Sequence, residues 1–339
     1  MKIGYNLSMN PPKCTDIYYI DFLVGAQKSY SCLEAEKVQP QAGNPPAHDS
    51  ITRLLHREEP DTGKLWHESK NQVKLESGIL VIDDSTLDKP YSQKIELVTK
   101  HWSGKHHRVV NGINLVTLLW TDGDRHIPCD YRVYDKAKDG LTKNDHFRAM
   151  LEEAKTRGFV PECVCFDSWY ASLENLKAVR GHGWIWLTRL APNRLVSKDY
   201  SGNRAVSTVA IESTGTTVHL KGYGLIRVFK VDTPEGDIEY WATNDLQMDE
   251  LTRLKYIEWS WTIEEYHRGI KQFVGIERAQ VRSARTQRNH IGLALRAFLR
   301  IEHYCYHTGV SWFEAKLSIV RDAVRAYLAE PLYTLEPTA

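Results

Sequence analysis

Long apolar runs are missing from this 339-residue chain. No stretch of 18 apolar residues occurs, and no charged and then apolar leader opens it. A membrane-spanning helix and a secretory signal are therefore not expected, and the expected location is the cytoplasm. Cysteine is sparse and badly spaced for metal or disulfide work. The six cysteines stand at 14, 32, 129, 163, 165 and 305, with no Cys-x-x-Cys among them. No zinc site and no disulfide framework follows from that pattern, and Cys163 and Cys165 read as core residues of one strand face. An excess of either charge is also missing: 44 Lys and Arg stand against 43 Asp and Glu, a net charge of +1. The global balance thus argues mildly against nucleic acid, but the distribution argues for it. Between Glu264 and Arg300 there are eight Lys or Arg and three Glu, enough for a local basic surface. With 42% hydrophobic and 26% charged residues, the chain has a sizeable core and room for one elaborated domain or two to three smaller ones.

Two short apolar runs end in carboxylates. Gly78-Ile79-Leu80-Val81-Ile82 leads into Asp83-Asp84-Ser85-Thr86, and Val160-Pro161-Glu162-Cys163-Val164-Cys165-Phe166 leads into Asp167. Runs of this length bounded by turn formers read as buried strands of a covered sheet. In an open α/β sheet, chemistry sits at the carboxyl ends of such strands, so Asp84 (or Asp83) and Asp167 have the addresses of neighbours. A third carboxylate is available on a later helix. In Trp261-Thr262-Ile263-Glu264-Glu265-Tyr266-His267-Arg268-Gly269-Ile270-Lys271, Trp261, Glu264 or Glu265, and Arg268 share one face. Lys271 follows Glu264 by two turns, and Ile263 and Ile270 form the adjoining apolar stripe. Three hard oxygen ligands of this kind suit Mg²⁺ or Mn²⁺.

These residues resemble the DDE transposases of bacterial insertion sequences, in particular a cut-and-paste group with an RNase H-like core. In that group the last catalytic helix reads Trp-x-Ile-Glu-Glu-(Phe/Tyr)-His, with Lys seven residues after the first Glu. Here Trp261, Ile263, Glu264, Glu265, Tyr266, His267 and Lys271 match, as do the later Gly275, Glu277 and Arg278. The resemblance spans roughly residues 78 to 308. Two positions depart from it: the group's Tyr and Arg, seven and four residues before the Glu, are Ile257 and Ser260 here. The first Asp is open. Asp-x-(Ser/Thr) fits both Asp83 and Asp84, and matching to an Ile-Glu-Asp-Thr-Thr form favours Asp84.

The resemblance implies an α/β fold, an RNase H-like mixed sheet flanked by helices, with an all-β insertion and a small helical N-terminal domain. It implies metal-dependent cleavage of transposon ends and strand transfer into target DNA. Asp84, Asp167 and Glu264 would hold two Mg²⁺ ions, which Mn²⁺ may replace, with Asp83 the alternative to Asp84. Lys271 and Arg268 would hold DNA phosphates. It further implies double-stranded DNA as partner, a homodimer on two DNA ends, and a nucleoid-associated protein of the bacterial cytoplasm.

Taken in order, residues 1–77 read as an N-terminal helical region, DNA-binding or bracing. Ile17 to Val24 could be helix or strand, Asp49-Ser50 offers an N-cap, and Leu65-Trp66 belongs to another helical piece. Residues 78–189 read as the first part of the core. Val109 to Thr121 and Arg125 to Tyr134 pair across Thr121-Asp122-Gly123-Asp124 in an antiparallel meander with the first strand. The basic stretch Lys100 to Arg108 reads as a loop, with Lys105 and Arg108 as candidate backbone contacts. Asn144 to Arg157 reads as helix, Ser168 to Val179 as another, and Gly183 to Arg189 as the fifth strand. Residues 190–244 read as a β-rich insertion, with Trp241 a candidate for base stacking. Residues 245–308 complete the core; Arg278, Arg282, Arg285 and Arg288 would line one face if their segment is helical, either as a phosphate stripe or a solvated one. Residues 309–339 end in an amphipathic helix. Two rivals stand beside transposition: an RNase H-like nuclease without strand transfer, and a decayed relic that binds DNA.

Overall fold

Strand β1 (Ile79–Asp88) organises the sheet. The computed structural model, which describes residues 12–40, 43–103, 108–135, 138–200, 202–234 and 236–331, pairs it antiparallel with β3 (Arg108–Thr121) and parallel with β5 (Cys163–Phe166). β3 turns back into β4 (Ile127–Tyr134), and β5 pairs parallel with β6 (Trp186–Leu190). The resulting order, β4–β3–β1–β5–β6, is that of an RNase H-like core. Ile79, Leu80, Val81 and Ile82 are all buried, as they must be in a strand covered on both faces.

β1 does not stop at its carboxylates. It runs on to Asp88 because β3 is long enough to pair with it as far as Gly112. The parallel partner is shorter, and the last β1–β5 pair is Ile82 with Phe166. Part of the stretch read as a basic loop is also strand: β2 (Thr99–Ser103) pairs with Arg108–Gly112 at the start of β3. Lys105 lies outside the described residues.

The insertion is β-rich as expected, with β7 (Leu195–Ser197), β8 (Arg204–Ala205), β9 (Thr216–Leu220), β10 (Gly224–Asp232) and β11 (Ile238–Thr243). It continues the core sheet, because β11 pairs antiparallel with β6 and the order runs on through β10, β9, β7 and β8. Among the described residues all eleven strands belong to this one sheet.

Helices cover the two faces of the core. On one lie α5 (Lys143–Thr156) and α6 (Leu173–Gly181). α5 opens on a capping box of Thr142 and Asp145, and its Phe147 meets Phe166 edge-on at 5.1 Å. On the other face lies α7 (Glu250–Ser260), where the Cys165 thiol sits 4.0 Å from the Tyr256 carbonyl. α4 (Gly63–Ser69), expected with the N-terminal helices, packs on β4. α8 (Thr262–Phe273) follows α7 after Trp261 alone.

The chain forms two compact units. The sheet unit comprises Thr62–Ser92 and Leu97–Gly269. Among the described residues, the helical unit takes those up to Asp61, the short piece Gln93–Glu96, and those from Ile270. It contains α1 (Asp16–Gly25), α2 (Cys32–Lys37), α3 (His48–Arg57), α9 (Ala284–Thr308) and α10 (Trp312–Ala329). The N-terminal helices share a core with α9. Tyr19 hydrogen-bonds His290 at 3.0 Å, Arg296 pairs with Asp16 at 2.7 Å, and the Asn289 amide donates to the Leu55 and Glu58 carbonyls, each at 2.8 Å. Ile17 to Val24, open between helix and strand from sequence, falls in α1, whose N-cap is Thr15. α3 starts at His48, so Asp49 and Ser50 lie inside the helix and Ala47 precedes it without a side-chain cap.

The arginine stripe is not one helical face. Gly275 has a φ of +60°, which ends α8, and α9 begins only after its N-cap Ser283. Arg278 and Arg282 therefore sit in irregular chain, and Arg285 and Arg288 in the first turns of α9.

Candidate active site

Parity along the strands decides which carboxylates meet. Successive side chains of a strand point to opposite faces. Phe166 faces α5, and Cys165 faces α7. Asp167, the next residue after Phe166, therefore returns to the α7 side. Val81 is level with Cys165 and Ile82 with Phe166, so Asp83 is one step past the last parallel pair and lies on the same side as Asp167. Adjacent strands run about 4.8 Å apart, which makes the two aspartates neighbours at the carboxyl end of the parallel segment. α8 adds to this face: the His267 Nδ1 atom is 3.9 Å from the Asp83 carboxylate. Glu264 lies one turn before His267, in the first turn of α8, and projects to solvent. Its neighbour Glu265 is bound to His126 at 3.1 Å.

Asp84 faces the other way. Its carboxylate accepts from the Asn114 amide at 2.6 Å, the Tyr170 hydroxyl at 2.7 Å and the Lys143 ammonium at 2.8 Å. These partners come from β3, from the turn after Asp167 and from the N-terminus of α5. The motif match favoured Asp84, but the fold groups Asp83 with Asp167 and gives Asp84 three protein partners of its own.

The electrostatics of the two neighbours diverge. Burial pushes the Asp83 carboxyl well above the usual aspartate range, and the like charges of Asp84, Glu264 and Asp167 push it further. Burial also pushes Asp84 upward, but Lys143, Asn114 and Tyr170 outweigh it and hold the carboxyl below its ordinary value. A carboxyl crowded by three others is a poor anion alone and a good ligand for a divalent cation. The donor set of Asp83, Asp167 and Glu264 is all oxygen, the chemistry of Mg²⁺ and Mn²⁺. As positioned, no three His, Cys, Asp or Glu side chains among the described residues close a metal shell. Asp167 caps the short turn that follows it, accepting from the Trp169 amide at 3.3 Å and the Ser168 hydroxyl at 2.8 Å.

The remaining sequence candidates are dispersed. Arg268 is on α8, 64% exposed and 4.0 Å from Glu265. Lys271 lies two turns beyond Glu264 along the same helix. Arg108 is exposed at the start of β3, and Arg278 and Arg282 are exposed in the segment before α9. Arg285 is engaged with Glu59 at 2.8 Å. Trp241 donates to Glu239 at 2.8 Å and lies 5.8 Å from the Arg189 guanidinium, which also binds Glu239. At the departed signature positions no substitute appears: Ser260 returns its hydroxyl to the Ile257 carbonyl at 2.8 Å.

Sequence reasoning passed over Lys143, Tyr170 and Trp169, and quoted His267 without a role. For His267 a signal existed, one helical turn from Glu264. For Lys143 and Tyr170, 59 and 86 residues from Asp84 along the chain, only the fold brings the groups together.

Among the described residues no helix is long and apolar enough to cross a membrane. No curated protein matches the chain. A solved structure of piggyBac transposase, in a synaptic complex with hairpin DNA, shares the fold, with a TM-score of 0.53 at 11% identity over 98% of this chain and 76% of that one. A sequence family described as the transposase DDE domain matches residues 74–300. That match takes in every strand and helix of the carboxylate site, and the chain belongs to the DDE transposase family.

Proposed function

We propose that this chain is a DNA transposase of the insertion-sequence type, cutting the ends of its element and joining them to target DNA. The observation that carries the reading is the placement of Asp83 and Asp167 on one face of adjacent parallel strands, with the Glu264 helix beside Asp83. Asp83, Asp167 and Glu264 would hold the metal, with Asp83 taking the place that the motif match gave to Asp84. When bound, a pair of Mg²⁺ ions, or Mn²⁺ in their place, activates water or a 3′-hydroxyl and stabilises the leaving oxygen. Asp83 and Asp167 sit on the rigid sheet and fix the reacting phosphate, while Glu264 arrives from a helix. His267, with its Nδ1 atom 3.9 Å from the Asp83 carboxylate, would steady that ligand from α8. Arg268 and Lys271 offer point charges to DNA phosphates along α8; Arg108 on the sheet unit, and Arg278 and Arg282 on the helical unit, are each exposed and available to double-stranded DNA. A homodimer on two ends follows from the family's way of working.

The residues at Ile257 and Ser260 favour a second reading, a DNA nuclease without strand transfer, since neither position carries the Tyr or Arg of the signature and Ser260 returns its hydroxyl to the Ile257 carbonyl. One experiment tests both. Supercoiled plasmid carrying the DNA that flanks the gene is incubated with the protein and Mg²⁺ or Mn²⁺, beside Asp83→Asn, Asp84→Asn, Asp167→Asn and Glu264→Gln. Metal-dependent cleavage lost in the Asp83, Asp167 and Glu264 variants, with integrated products from the wild type, supports transposition. Cleavage without integration moves the protein to the nuclease reading. Full activity in Glu264→Gln refutes the site.

A further inference from the structure

Of the carboxylates given to the metal, Glu264 comes from a helix while Asp83 and Asp167 stand on the sheet. Its side chain is exposed, so its direction depends on how α8 is seated. The next residues along the helix do the seating. Tyr266 is fully buried, and its hydroxyl comes up to that of Thr117 on β3. Thr117 is directly opposite Asp83 on one side and Tyr131 on the other, so the middle of α8 lies over the carboxylate face of the sheet. Successive residues of an α-helix turn by about 100°, so Glu265 and His267 leave Tyr266 on opposite flanks. On one flank His267 is 3.9 Å from Asp83, too far for a hydrogen bond. On the other, the Glu265 carboxylate meets the His126 Nε2 atom at 3.1 Å. The firmer hold is therefore on the flank away from Asp83.

His126 stands on a braced support, between the β3–β4 turn and β4. Its neighbour Arg125 binds the Asp122 carboxylate at 2.6 Å and the Gln72 carbonyl at 2.7 Å, with its guanidinium 4.6 Å over the Trp120 ring. The turn itself presses on the end of α7. Gly123 has a φ of +98°, and the Trp259 indole leaves no room there for a Cβ. The hairpin thus holds the α7–α8 junction by packing at Trp259 and by the His126 bond at Glu265. Stability does not account for that bond, because the Glu265 side chain is 44% exposed and so open a pair contributes little to folding. Position does account for it: a carboxylate tied to a braced hairpin resists any roll of α8 about its axis.

We propose that His126 is a positioning residue: by holding Glu265 it fixes the roll of α8, and with it the direction in which Glu264 meets a metal beside Asp83 and Asp167. The proposal rests on the transposase reading and on Glu264 as a ligand. His126 touches neither metal nor DNA on this account. It also gives the two adjacent glutamates different work, Glu264 as ligand and Glu265 as the point by which the helix is held.

The test uses the full chain. Wild type is compared with His126→Ala, His126→Gln, Glu265→Ala, the double alanine variant and Glu264→Gln. Mn²⁺ affinity is measured by calorimetry without DNA, amide exchange of α8 without metal, DNA affinity in Ca²⁺, and single-turnover cleavage of the flanking-DNA plasmid in Mg²⁺. His126→Ala and Glu265→Ala should each lose about tenfold in Mn²⁺ affinity and in cleavage rate, with DNA affinity and melting temperature close to wild type. The double variant should also lose about tenfold, where independent sites would lose about a hundredfold. His126→Gln, whose amide can donate to Glu265 in place of Nε2, should recover most of both. Exchange in the first turns of α8 should quicken in the alanine variants and stay slow in His126→Gln. Wild-type Mn²⁺ affinity and cleavage in His126→Ala, with Glu264→Gln inactive, overturn the proposal while the transposase reading stands. So does a hundredfold loss in the double variant. A loss in His126→Ala that follows a lowered melting temperature and is not recovered by Gln makes His126 structural and overturns it too. A wild type that binds no Mn²⁺ and cuts no DNA, or a fully active Glu264→Gln, overturns the site reading and the proposal with it.

Discussion

Asp83 and Asp84 are adjacent in the chain, and the structure predicts opposite effects from the same substitution at each. Asp84→Asn removes the negative charge that three groups share. Lys143 is left facing a neutral amide, with its side chain 18% exposed and that of Asp84 19% exposed. Breaking a buried pair costs about 3–5 kcal/mol, and charge-assisted hydrogen bonds contribute about 1.5–3 kcal/mol. Partial exposure, and an asparagine oxygen that still accepts from Tyr170, bring the expected loss to about 2 kcal/mol, a fall of roughly 4–8 °C in Tm for a unit of this size. Asp83→Asn instead removes a carboxylate crowded by Asp84, Glu264 and Asp167. Relief of strain at a functional position is worth about 1 kcal/mol, or roughly 2–4 °C upward, in the absence of metal. The pH dependence separates the two further. The Asp84 carboxyl is held below its ordinary value of 3.8, so its contribution is present above that pH and is lost as the pH falls through the folded value. The Asp83 carboxyl is held above 3.8, so the metal-free fold loses stability as the pH rises from there through the folded value, and Asp83→Asn abolishes that loss. The assay is thermal unfolding of wild type and both variants in EDTA across pH 3 to 8, repeated with Mg²⁺. Saturating metal at a hundredfold excess over Kd should add about 2.7 kcal/mol to wild type and to Asp84→Asn and nothing to Asp83→Asn. An Asp83→Asn protein that melts as low as Asp84→Asn, or that still gains from Mg²⁺, refutes the assignment of roles.

Glu264→Gln should abolish metal-dependent cleavage with no change in Tm beyond about 1 °C, because the side chain projects to solvent; single-turnover cleavage and thermal unfolding check it together. His267→Ala should weaken Mn²⁺ binding about tenfold through the loosened Asp83 carboxylate, measured by titration calorimetry, since outer-shell partners of ligands carry about 10- to 100-fold in affinity. Mn²⁺ affinity of the wild type should rise as the pH rises through the raised Asp83 value, because metal displaces its proton, and a flat profile would contradict that. Gly275→Ala should destabilise the helical unit by about 1–3 kcal/mol in chemical denaturation, since φ is +60° there and an added Cβ would lie 2.6 Å from the Tyr30 ring.

Much of the core is legible in the residues themselves. The apolar runs before Asp83 and Asp167, the turn at Asp122-Gly123, and the helical pattern from Asn144 to Arg157 are each a local signal that decides an element by itself. The β character of residues 190–244 is equally local, but its pairing is not. That β11 joins β6 and makes one sheet of core and insertion depends on backbone partners some fifty residues apart, which no local pattern records. The Arg278 to Arg288 stripe misled for a related reason. Its spacing is helical, yet Gly275 in the left-handed region and the N-cap at Ser283 hold the first two arginines out of any helix.

The candidate site divides along the same line. Sequence alone marked Asp83 and Asp84 as alternatives for one role, and backbone alternation puts them on opposite faces of any strand that runs through both. It established that Glu264, His267 and Lys271 ride on one helix, because 3.6 residues per turn is a property of that backbone too. Which face of β1 would meet Asp167 and α8, and which would meet Lys143, Tyr170 and Asn114, was decided only by tertiary structure. That choice follows from the register of β1 against β5 and from the sides on which α5 and α7 pack, and both are set by contacts between residues far apart in the chain.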